Sequence, residues 1–136
     1  MAAKQETPYY CGPASLVRIQ QLLGYKKVMT QSEWAYVAKT TTKGTSIANL
    51  KRCILLMAPG YEIIRKTEEI FEGLSIVYDA KRDHWMVADC LPYLYEAHLY
   101  DPLDGSEVIL DWEDFQKKFL NSKTNSYALW VKRGYF

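Results

Sequence analysis

The chain has 136 residues, of which 49% are hydrophobic and 14% aromatic; this excludes a disordered tract and suits a single domain, 1–136, with one core. Its 17 basic and 16 acidic residues nearly cancel, so charge gives no reason to expect nucleic acid or an anionic membrane as partner. Three cysteines, no apolar stretch in "MAAKQETPYY" and a longest apolar run of only "CILLMA" argue against a disulfide framework, a secretory leader and a membrane segment, and the expectation is a soluble, cytoplasmic protein.

In chain order, the spacing predicts a helix over 12–23, "GPASLVRIQQLL". Pro13 suits its first turn, Leu16, Ile19 and Leu23 share a face, and Gly24 ends it. A second helix is predicted over 31–39, because "TQSE" places Thr30 and Glu33 as a capping box. A third is predicted over 46–57, with Thr45 as its cap, an apolar stripe of Ile47, Leu50, Ile54 and Met57, and Pro59-Gly60 as its stop. The loop before it, "KTTTKGTS", is a candidate cleft rim.

From residue 61 the character changes. "YEIIRK", "LSIVYD", "HWMVADC", "YLYEAHLYD", "SEVILD" and "YALWVK" are rich in β-branched and aromatic residues and read as strands. One helix, "WEDFQKKFL", interrupts them, with Asp111 as its N-cap. Helices first and strands later predict an α+β domain, N-terminal helices packed on an antiparallel sheet. The short connection within 84–101 supports antiparallel pairing.

"QETPYYCGPASL" puts Cys11 at a helix start, where free N–H groups and the helix dipole favour a thiolate. Gly12 would let a substrate carbonyl approach the sulfur. The Cys11 N–H is one donor for an oxyanion, and the side-chain amide of Gln5, six residues upstream, is a second. On position alone, packing explains Cys11 better, as it does Cys53 and Cys90.

A cysteine nucleophile needs a base, and the base needs an orienting group. His84 opens a predicted strand. If the hairpin is centred between Pro92 and Tyr93, paired residues sum to 185 and His84 stands opposite Asp101, within reach of a hydrogen bond. A slip of one residue would part them, since strand neighbours face opposite sides. Asp83 and Asp89 point to the other face, and Asp104 suits turn chemistry. His98, opposite Val87 in that register, reads as a strand histidine outside the site. Tyr9, Tyr10 and Trp85 adjoin the candidate residues and serve either as walls of a narrow cleft or as core. No C-x2-C or H-x3-H spacing exists, which argues against a zinc site.

Taken together, Q-x5-C-G-P-A-S-L, G-T-S-I-A-N-L at 44–50, H-W-M-V-A and Y-D-P-L-D-G resemble the C39 peptidases. These are papain-like cysteine peptidases, best known as the leader-cutting domains of bacteriocin export transporters. The resemblance implies a bacterial or phage enzyme with a papain-like fold and a peptide substrate, needing neither metal nor cofactor. It implies Cys11 as nucleophile, His84 as base and then acid, Asp101 as orienter and Gln5 in the oxyanion hole. Cleavage after small residues such as a double glycine is implied by the transporter branch. That branch often has an acidic residue where Tyr10 stands, and this chain lacks transmembrane and nucleotide-binding segments, so it looks like a stand-alone form or an excised domain. Two alternatives stay open: a phytochelatin-synthase-like acyltransferase, and a peptide-binding module without chemistry.

Overall fold

The computed structural model describes residues 4–67 and 71–133; residues 1–3, 68–70 and 134–136 of the expected 1–136 domain lie outside the described residues. Helix α1 spans Cys11–Leu22, α2 Gln31–Val37 and α3 Ile47–Met57. Strands β1 (Tyr61–Lys66), β2 (Gly73–Asp79), β3 (His84–Leu91), β4 (Glu96–Asp101) and β5 (Ser106–Asp111) follow, then α4 (Trp112–Phe119) and β6 (Tyr127–Arg133).

Local chemistry explains most boundaries. Thr30 and Glu33 form the capping box at α2, and the Asp111 carboxylate accepts from the Glu113 N–H at the start of α4. Several boundaries differ from expectation: α2 ends at Val37 rather than 39, and β4 begins at Glu96 rather than 93. Helix α1 begins at Cys11 itself, one residue early. Ser46, not Thr45, caps α3 by accepting from the Asn49 N–H at 3.2 Å. Thr45 is buried instead, its hydroxyl bonded to that of Thr40 at 2.7 Å.

The six strands form one antiparallel sheet in the order β1-β6-β2-β3-β4-β5. Strand alternation then divides the interior into two cores. On one face Trp85, Val87, Ile76 and Leu129 pack against Leu16, Ile19, Leu50 and Ile54 of α1 and α3. On the other, Met86, Ala88, Cys90, Val77 and Leu99 pack against Trp112, Phe115 and Phe119 of α4. Each fully buried aliphatic or aromatic side chain contributes roughly 1.5–3 kcal/mol, so both helix layers are held firmly against the sheet. The α+β architecture is the expected one, with α4 alone on the far face. Cys53 and Cys90 lie in the two cores, one in each, and are fully buried.

Candidate active site

Cys11 is the first residue of α1 and 8% exposed. Its sulfur accepts from the Trp85 backbone N–H at 3.5 Å, which joins the helix start to β3. Gly12 has a different reason from the expected one. A Cβ there would lie 2.5 Å from Thr45 Oγ1 and 2.8 Å from Thr45 Cβ. The glycine thus lets the loop before α3 close onto the start of α1. The Trp85 indole N–H completes that junction by donating to the Thr45 carbonyl at 3.3 Å.

His84 opens β3 and is 7% exposed. Its Nε2 lies 2.7 Å from Asp101 Oδ1. Its ring also hydrogen-bonds Cys11. The register that brings His84 and Asp101 together differs from expectation by two residues. Val87 pairs with Tyr100, Ala88 with Leu99 and Asp89 with His98, so partners sum to 187 and His84 meets Asp101 on the diagonal. The shift arises in the turn, where Pro92–Leu94 form a 3-10 segment and Tyr95 takes φ 57°, moving the centre past Tyr93. An even shift keeps every side chain on its face.

The electrostatics follow from these contacts. Burial opposes a charge on His84, but the hydrogen bonds to and electrostatic interactions with Asp101 and Cys11 carry its pKa up to about 9. Burial likewise opposes ionisation of Asp101, yet the His84 hydrogen bond, the Leu103 N–H and the charges of His84 and Arg82 bring it down to about 2. The Leu103 N–H donates to Oδ1 at 3.0 Å. Arg82 holds the other oxygen, Nη1 to Asp101 Oδ2 at 3.1 Å, while its Nε reaches Asp79 Oδ2 at 2.8 Å. Sequence reasoning passed over Arg82. Its only signal is a cation two residues before His84, in the turn that leads into β3.

The other candidates separate cleanly. Asp83, at φ 48°, accepts from the Tyr78 hydroxyl at 2.5 Å. Asp104 caps its own turn through the Ser106 N–H at 2.9 Å. His98 is exposed, stands opposite Asp89 rather than Val87, and bonds Glu96 at 3.0 Å. Trp85 is core, tilted against Tyr78 with ring centroids 4.9 Å apart. Tyr9 and Tyr10 remain half-buried beside Cys11, edge to face at 5.4 Å.

Gln5 is 9% exposed. Its backbone N–H donates to the Pro102 carbonyl at 2.6 Å, next to Asp101. One side-chain N–H donates to the Thr7 carbonyl at 2.8 Å, and a primary amide has a second N–H to offer. Its Oε1 is buried without a partner. Among the described residues no set of three His, Cys, Asp or Glu side chains is arranged to hold a metal ion, and no helix is long and apolar enough to cross a membrane.

No protein-family description and no curated protein matches the chain. Solved structures do. The double-glycine-motif protease of an AMS/PCAT transporter, determined in complex with the leader peptide, superposes with a TM-score of 0.70 at 20% identity over 97% of this chain and 91% of that one. The peptidase domain of Streptococcus ComA, a bi-functional ABC transporter of a quorum-sensing pathway, superposes with a TM-score of 0.69 at 17% identity over 96% of each chain. The fold is that of the C39 double-glycine peptidase domains.

Proposed function

We propose that this chain is a C39-like cysteine peptidase in which Cys11, His84, Asp101 and Gln5 carry the reaction. The observation that supports it most is the chain of contacts from the Cys11 sulfur through the His84 ring to Asp101 Oδ1. Its order matches nucleophile, base and orienter.

In this reading the Cys11 thiolate attacks the carbonyl carbon of a peptide bond, forming a C–S bond and moving the carbonyl π electrons onto oxygen. The Cys11 N–H and the free side-chain N–H of Gln5 donate to that oxyanion. His84, charged at neutral pH, gives its Nδ1 proton to the departing amine as the C–N bond breaks. A thioester remains. Water attacks it while His84 takes the water's proton, and the thiolate leaves with the C–S electrons. Asp101 stays ionised and keeps the His84 Nε2–H in place.

The solved peptidase bound to a leader peptide supports a peptide as the substrate. The ring pair Tyr9–Tyr10, which precedes Cys11 directly, suits a site that takes small residues, such as two glycines, before the scissile bond. Rapid acid quench of the enzyme with a Gly-Gly-ending peptide amide, followed by peptide mapping, tests this. The acyl mass should sit on the Cys11 peptide. Hydrolysis with no acyl adduct, or an adduct on Cys53 or Cys90, would refute it.

A further inference from the structure

Gln31 is the first residue of α2, a place where a polar side chain ordinarily faces water. Here it is 5% exposed and turned inward. Its Oε1 accepts from the Glu6 N–H at 2.9 Å, and its Nε2 donates to the Lys4 carbonyl at 2.9 Å. These two backbone groups flank Gln5. In an extended chain they point to one side while the backbone of the middle residue points to the other. The Gln5 N–H, on that other side, is taken by the Pro102 carbonyl. The Gln31 amide thus stands in for a neighbouring strand, and segment 4–6 is gripped from both sides.

The grip is referred back to the nucleophile. Gln20, 5% exposed on α1, accepts through Oε1 from the Met29 N–H at 2.9 Å and from the Trp34 indole at 3.2 Å. It fastens the start of α2 to the helix that carries Cys11. The path from Cys11 to Gln5 therefore runs through α1, Gln20, α2 and Gln31.

We propose that Gln31 is a positioning residue, which holds Gln5 at the distance and angle from Cys11 that an oxyanion donor requires. This rests on the reading of Gln5 as that donor. Donors work only when they are already in place where charge develops, and small displacements cost rate rather than binding. Gln31 therefore affects kcat and leaves substrate affinity and thiol chemistry alone.

The experiment is a double-mutant cycle on hydrolysis of a fluorogenic peptide amide with Gly-Gly before the leaving group. Gln31→Met keeps the size and removes both hydrogen bonds. It should lower kcat by about tenfold with KM changed less than about twofold, and iodoacetamide should label Cys11 at the wild-type rate. Gln5→Ala should lower kcat by about a hundredfold. In the Gln5→Ala background, Gln31→Met should cost nothing more, because its route to the reaction is gone. Gln31→Glu, which keeps the acceptor for Glu6, should fall between, and it serves the same cycle if the methionine variant does not fold. Full additivity, or Cys11 labelling that falls in step with kcat, would overturn the role of Gln31 alone. Full kcat in Gln5→Ala would overturn the oxyanion reading of Gln5 and the role of Gln31 with it.

Discussion

His84 and Asp101 meet on a diagonal of the β3–β4 ladder, Nε2 to Oδ1 at 2.7 Å, two residues away from being rung partners. The pKa of His84 rises from its ordinary 6.5 to about 9, so the stability it adds is complete below about pH 6.5 and is lost as pH rises through 9. That of Asp101 falls from 3.8 to about 2, so its contribution is complete above about pH 4 and is lost as pH falls through 2. The melting-temperature gap between wild type and Asp101→Asn should be widest between these limits and close at both ends. A gap independent of pH would mean that the pair is not ionised as described.

Arg82 bridges Asp79 and Asp101. Arg82→Gln should raise the Asp101 pKa, because the opposite charge beside it is removed. The Arg82 side chain is 40% exposed, and an exposed pair contributes ~1 kcal/mol or less. The loss in kcat should therefore be about fivefold at most. A loss as deep as that of His84→Ala would show that Arg82 acts on the substrate directly.

Gly12→Ala should destabilise the fold by about 1–3 kcal/mol through overpacking against Thr45. Thr45→Ala would leave the Cβ contact at 2.8 Å, whereas Thr45→Gly removes both close atoms. Urea titration should find the Gly12→Ala penalty much reduced in the Thr45→Gly background. An undiminished penalty would place its origin elsewhere.

The three thiols should differ in reactivity. Burial pushes Cys53 up and Cys90 up to about 12, and both are fully buried. Cys11 is 8% exposed beside a charged imidazole. Iodoacetamide in the folded protein should modify Cys11 first, and His84→Ala should slow that labelling. Equal rates at all three cysteines would contradict an activated Cys11.

Much of this was legible in the sequence because it is local. The Thr30–Glu33 box, the Asp111 cap and the face alternation of 84–90 depend on neighbours only. The pairing of His84 with Asp101 survived a wrong register because the error was even. What stayed hidden is contact between segments distant in the chain. Gly12 looked like room for a substrate and proved to be room for Thr45, 33 positions on. Gln31 looked like one letter of a capping box and proved to bond residues 25 and 27 positions away. Trp85 read as either cleft wall or core and is core, because its face of β3 meets α1 and α3. No local periodicity encodes such partners.

The central claim is that the Cys11 sulfur forms the bond to substrate. Turnover of the Gly-Gly peptide amide by wild type, Cys11→Ala and His84→Ala, each shown to be folded by its melting curve, tests it most directly. Wild type should hydrolyse the peptide with a rate that falls as pH passes about 9, where His84 loses its proton, and both variants should lose at least about 10³-fold in kcat. Turnover that persists in Cys11→Ala would contradict the account.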